Sequence, residues 1–342
     1  VRPVPPDLAG TAAGFSLIEV IVALALTGML LVGVGAIFVS SRSTSNATEN
    51  LASVQENGRR ALDEVVRAIR SAGSGGCAKE PSHIGSTLEA ASDPRWDFLD
   101  GAVRGYQASA STAWTPSIEP ALIPEALAGS DVLLLRGART GAQPLRLQSA
   151  MTATTDSLDL TGKDTLRPGD TALVYDCDAE VYFAVSSHEE SRIAHSASTS
   201  DGTPVNLSDS LGYAFRAGAE AVAVDTAIYY VARSGEVTSL WKRVGARKPQ
   251  EIAQDIEQMQ ILFGVDTTSD SVVDDYVAAD AVRDWREVLS IKVGLLIRSA
   301  EPGTTLIERE HPLLDVSVST SDHYAREVLT ATASIRAREP VY

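Results

Sequence analysis

The stretch LIEVIVALALTGMLLVGVGAIFV, residues 17–39, decides how the rest of the chain is read. A helix needs about 20 predominantly apolar residues to cross a bilayer's hydrocarbon core, and this run is long enough. Its one ionisable side chain is Glu19. A secretory signal peptide has a shorter apolar centre followed closely by a small-residue cleavage site. Here the run continues instead into SSRSTSNATEN, residues 40–50.

The helical rhythm persists beyond the apolar run. Ala47, Leu51, Val54, Gly58, Leu62, Val65, Ile69 and Ala72 recur at steps of three or four, which places them on one stripe. Glu49, Glu56, Arg59, Arg60, Asp63, Glu64 and Arg67 fall on the other face. No proline interrupts residues 15–80, and Gly73 supplies a stop signal. The pattern predicts one helix from about Phe15 to Ala72, about 85 Å long at 1.5 Å per residue. Residues 15–39 suit lipid or other apolar helices. Residues 40–73 are amphipathic and suit the surface of a globular domain.

A carboxylate in the apolar run calls for a partner, since isolated in lipid it costs roughly 2–3 kcal/mol. A free α-amino group at that depth would serve, and cleavage just before Phe15 would create one. The alternative is an ordinary signal anchor with a chance glutamate.

These residues carry a resemblance. Gly14-Phe15-Ser16-Leu17-Ile18-Glu19-Val20 is similar to the class III leader-peptidase site of type IV pilins and type II secretion pseudopilins. The resemblance implies a leader at residues 1–14, cut by a prepilin peptidase after Gly14. It further implies a methylated N-terminal Phe15, and a Glu19 that neutralises a neighbour's N-terminus during assembly. The leader VRPVPPDLAGTAAG is less basic than is usual for such leaders, and the apolar half lacks the proline that many major pilins carry. Gln55-Glu56-Asn57-Gly58-Arg59-Arg60-Ala61-Leu62, then Ile69-Arg70-Ser71-Ala72-Gly73 with Gly76-Cys77, resembles the PilW family of minor pilins. The order Phe263-Gly264-Val265-Asp266, Asp275-Tyr276, Trp285, Ile291–Arg298 and Tyr324–Arg336 resembles the same family's C-terminal part.

That family implies a single-pass inner-membrane protein of a Gram-negative-type bacterium, with a periplasmic head, that later enters the pilus. It implies a role in starting or assembling the fibre, and so in motility, adhesion or DNA uptake. The implied partners are other minor pilins, the major pilin, the prepilin peptidase, the inner-membrane assembly platform and membrane lipid. A type II secretion pseudopilin of the J type, or a membrane-anchored adhesin, is the alternative.

Residues 74–342 form the head. Residues 78–130 are rich in Ser, Ala, Pro and Gly and read as loops and short elements. From Asp131 onward short apolar runs alternate with turn residues. Strands are expected at 132–135, 172–175, 181–185, 228–232, 238–243, 261–265, 288–298 and 328–336. In 288–298 the alternation predicts a half-buried strand. Arg167-Pro168-Gly169-Asp170 and Ser234-Gly235-Glu236 read as turns. The expected fold class is α+β: a long N-terminal helix, its second half packed on an antiparallel sheet, with a second β-rich region possible as an insert.

The chain has 342 residues and a formal net charge of -16, with no dense basic run. Such a surface repels phosphate backbones, so direct nucleic-acid binding is not expected. Cys77 and Cys177 are the two cysteines. In an oxidising compartment they suit one disulfide; two buried free thiols are the alternative. Asp266, Asp270, Asp274 and Asp275 crowd one loop that departs from the EF-hand pattern at its sixth and twelfth positions. Calcium there competes with a solvated turn, and no other cofactor is expected. His188-Glu189-Glu190 and His195 read as solvated loop residues rather than ligands. Trp96, Trp114, Trp241 and Trp285 read as packing. No Walker loop, nucleophile elbow or H-E-x-x-H occurs, so no enzymatic activity is expected.

Overall fold

The structure, a computed structural model, describes residues 16–73, 81–89, 93–109, 113–162, 166–197, 204–303 and 306–335. Helix α1 runs unbroken from Leu17 to Ser71, 55 residues. It ends as a glycine-capped helix should: Gly73 takes a left-handed φ of 71°, and its N–H donates to Arg136 O at 2.8 Å. By compactness the chain divides between Ala52 and Ser53, inside this helix.

In the first unit the described side chains from Ser16 to Glu49 are all exposed. Ala47 and Leu51, expected on the buried stripe, are exposed with them. In the second unit the stripe is buried from Val54 onward, through Gly58, Ala61, Leu62, Val65, Ile69 and Ala72. Periodicity marked the stripe, but burial begins only where the head presents an opposing surface.

The head is β-rich. In chain order its strands are β1 (His83–Ser86), β2 (Val103–Ala108), β3 (Trp114–Thr115), β4 (Val132–Ala138), β5 (Leu145–Leu147) and β6 (Leu158–Thr161). Then come β7 (Thr171–Tyr175), β8 (Ala179–Ala184), β9 (Ser187–Glu189), β10 (Arg192–Ala194), β11 (Glu220–Ser234), β12 (Val237–Val244) and β13 (Gln250–Gln254). The last are β14 (Ile256–Val265), β15 (Asp275–Val277), β16 (Val288–Arg298), β17 (Ile307–Leu313), β18 (Val316–Asp322) and β19 (Arg326–Ser334). β1–β13 make one branched sheet, β15-β14-β16-β19 a second, and β17–β18 a separate hairpin. Among the described residues every strand pairing is antiparallel except β1 with β8. The class is therefore α+β, as expected.

β11 is the spine. Its first half pairs with β7 and β5, and its second half with β4 and β12. Among the described residues four apolar clusters lie along it, and two of them frame the helix and the sheet's far part. One holds the buried stripe of α1 against Leu133, Leu135, Tyr229, Val231 and Leu240 of the large sheet, and against Met259, Ile261, Phe263, Ile291, Val293, Leu295 and Ile297 of the small one. The other is built from Leu145, Leu158, Val174, Val181, Phe183 and Phe215 and contains no residue of α1. This second core belongs to a second β-rich region of the head.

One expectation is met and one is corrected. Residues 78–130 hold short elements, as expected, among them β2, which pairs with β4 from Val103–Leu135 to Tyr106–Val132. The strand is legible only through its distant partner, because Gly105 breaks its apolar pattern to admit the Phe263 ring. β16 is not half-buried: Gly294 and Leu296 are covered as well as Ile291, Val293, Leu295 and Ile297. The β17–β18 turn lies over the second face, where a Cβ on Gly294 would meet Leu313 Cδ1 at 2.9 Å. Both predicted turns form, with φ of 86° at Gly169 and 65° at Gly235.

Candidate functional site: an exposed apolar helix and its first-turn carboxylate

From Leu17 to Val39 the apolar side chains of α1 face outward on every side, including Leu17, Met29, Val32 and Ile37. Among the described residues this is the one helix long and apolar enough to cross a membrane. At 1.5 Å per residue the run spans about 35 Å, against a hydrocarbon core of about 30 Å. Its one hydroxyl is satisfied within the helix. Thr27 Oγ1 donates to Ala23 O at 2.7 Å, so the hydroxyl asks nothing of its surroundings.

Glu19 sits in the first turn, where free N–H groups and the helix dipole favour an anion. Its Oε2 accepts from Ser16 N at 3.0 Å, and Glu19 N donates to Ser16 O at 3.0 Å. The carboxylate is exposed with acceptor capacity remaining. Gly14 and Phe15 lie outside the described residues.

Toward its C-terminal end α1 carries a polar contact that the stripe pattern had put on the solvent face. Glu64 is half-buried. It accepts from Lys242 Nζ at 2.8 Å, Tyr229 Oη at 3.2 Å and Arg67 Nη2 at 3.1 Å. Burial alone would raise its carboxyl; the hydrogen bonds from Lys242 and Arg67 outweigh that and lower it. Burial likewise pushes the Tyr229 hydroxyl up, keeping it a neutral donor. Lys242 and Tyr229 lie far along the chain, so only the paired β11–β12 register makes this cluster visible.

The other candidate residues are dispersed. In the acidic loop each carboxylate is engaged by nearby backbone. Asp266 accepts from Asp270 N and Ser271 N, Asp274 from Thr267 N and Thr268 N, Asp270 from Val272 N, and Asp275 from Tyr276 N. Among the described residues no three His, Cys, Asp or Glu side chains converge as a metal site would need. Cys177 is exposed beside an open cleft of about 470 Å³, and Cys77 lies outside the described residues.

His195 departs from expectation. It is buried, not solvated, with Nε2 at 2.9 Å from Asp156 O and its ring edge-on to Phe183. His188 stays local, bonded to Glu190 O. Trp96 and Trp285 are buried, and Trp285 packs edge-on to Phe263, as the packing reading expected.

No curated protein and no solved structure matches the chain. A family model does: residues 228–337 match PilW, described as Type IV Pilus-assembly protein W. The match opens inside β11 and closes just after β19. It thus covers the small sheet and much of the surface under α1, and it does not extend to the QENGR passage or to the second core. It is a family of pilus assembly rather than of catalysis. Over residues 228–337, the segment onto which the second half of α1 folds, the chain is thus similar to the PilW family of type IV pilus-assembly proteins.

Proposed function

We propose that the chain is a PilW-like minor pilin that helps start and assemble a type IV pilus. The observation that carries this is one continuous helix with two surfaces. From Leu17 to Val39 its exposed side chains are apolar apart from Glu19 and Thr27, and from Val54 it is built into a head carrying the PilW pattern. A helix anchored by its second half and bare along its first is suited to leave a bilayer for a bundle of like helices.

In this proposal residues 1–14 are a leader removed after Gly14, and Phe15 becomes the methylated N-terminus. Glu19 then exchanges its local bond to Ser16 for the α-amino group of an adjacent subunit, a buried charge meeting its opposite. The head lies in the periplasm, where Cys77 and Cys177 pair. Ser82 Oγ bonds to Asp178 O at 2.8 Å, so the chain returns beside Cys177 only five residues after Cys77. Other minor pilins, the major pilin, the prepilin peptidase and the assembly platform are the partners.

The test is intact-mass and N-terminal peptide mass spectrometry on protein purified from cells with an active prepilin peptidase. The expected result is a chain beginning at Phe15, 14 Da heavier than unmodified. A chain that keeps its first fourteen residues, or begins elsewhere, rejects the proposal.

A further inference from the structure

We propose that Asp131 is a proton-responsive latch between the large and small sheets, trading one of two strand-to-strand hydrogen bonds for a proton. The inference is independent of the pilus reading. Asp131 stands immediately before β4 and is 2 % exposed. Its Oδ1 accepts from Ala108 N at the end of β2 (2.8 Å), and its Oδ2 from Ile261 N in β14 (2.9 Å). The surrounding corner is stitched to β14 in the same way. Asp131 N donates to Met259 O, Ser130 Oγ accepts from Met259 N, and Gln258 and Gln260 both donate to Gly129 O. One buried carboxylate thus holds an N–H group from each of two sheets.

No cation balances that carboxylate in the ion pairs described. On the elements around it, Arg104 of β2 is paired with Asp100 and Arg136 of β4 is bonded to the carbonyls of Gly101 and Pro94. Glu257 of β14 is taken by Arg326. The Tyr106 hydroxyl of β2 is pushed up to about 12 by burial and stays neutral. The remaining charges that bear on Asp131 are two more acids, Asp315 and Asp280. Burial above all, and then these like charges, raise the carboxyl to about 7 against the pull of its two N–H donors.

Protonation then has two opposed effects. The neutral acid no longer suffers the burial of a charge, so the fold gains. A protonated oxygen is a donor and a poor acceptor, so either Ala108 N–H or Ile261 N–H loses its partner. The sign follows from linkage: the folded value lies above the unfolded one of about 3.9, so the destabilisation is full above pH 7 and fades as pH falls toward 4. The neutral fraction goes from roughly a tenth at pH 8 to roughly nine-tenths at pH 6.

The experiment is hydrogen exchange read by mass spectrometry on the full chain in detergent micelles, at pH 6, 7 and 8, corrected for intrinsic exchange, beside urea unfolding at the same values. Expected is a several-fold loss of protection in the peptide containing Ala108 or that containing Ile261 on going from pH 8 to 6, while the urea midpoint rises. Asp131→Asn should flatten both trends. The double variant Asp280→Asn, Asp315→Asn, which leaves the latch in place, should move the exchange midpoint to lower pH. Protection that is level from pH 6 to 8 in the wild type, a pH trend retained in Asp131→Asn, or a midpoint unmoved in the double variant overturns the proposal.

Discussion

Glu64 shows what one side chain does when a helix is laid on a sheet. Its neighbours on the polar face, Glu56, Arg60 and Asp63, are exposed, whereas Glu64 sits where the lip of β11–β12 brings Tyr229 and Lys242 to it. Three donors meet one carboxylate that retains partial access to water. Replacing it as Glu64→Gln should cost about 1–2 kcal/mol at pH 7, the range for charge-assisted hydrogen bonds discounted for solvent. The lowered carboxyl fixes the sign. The stabilisation is present above the unfolded value of about 4.3 and is lost as pH falls through the folded value, so the gap between wild type and variant should close in acid. Urea unfolding of both proteins at pH 7 and pH 3.5 checks this; a gap that stays constant would contradict it. At this scale the sequence was least informative. Glu64 and Asp131 are ordinary acids in the one-dimensional pattern, and their environments come from residues tens to more than a hundred positions away.

At the scale of elements the sequence was legible where periodicity alone decides. α1 runs within two residues of its expected ends, and all eight anticipated strands exist, most of them longer than drawn. What pattern could not give was contact. Gly58 read as one more position on the stripe. It is in fact the point of closest approach to the small sheet, where a Cβ would lie 2.5 Å from Leu329 Cδ1 and 3.1 Å from Ile297 Cδ1. Those two side chains have flexible ends that can yield. Gly137 is more demanding, because the atoms opposite it are backbone. Its added Cβ would meet Ser71 O at 2.6 Å and Gly73 N at 3.3 Å, in the last turn of α1. Gly137→Ala should therefore pry the helix end from β4 and destabilise the protein by about 1–3 kcal/mol, as overpacking does. Gly28→Ala, where a Cβ meets nothing within 4 Å, is the matched control and should show no such loss. Chemical denaturation of the two variants decides it.

For the molecule as a whole, the apolar run, its glutamate and the C-terminal passage pointed to pilus assembly, and the family match bears that out over residues 228–337. Of the second core only β7 and β8 were legible; β5, β6, β9 and β10 are strands of three or four residues that close through pairings such as β5 with β11 and β6 with β10. Assembly is tested at this scale too. Glu19→Ala removes the first-turn charge without touching the head, so the protein should accumulate normally while surface pili, counted by electron microscopy, fall well below wild type. Equal piliation with equal incorporation would exclude a role for that charge.

Strand β11 extends about 50 Å at 3.3 Å per residue and belongs to both hydrophobic centres at once. Neither centre can therefore be trimmed away or loosened in isolation. A lesion among Ala221, Val222 and Ala223 would be transmitted along one taut ribbon to Tyr229 and Val231 beneath the helix, so the head should mature, and fail, as one body.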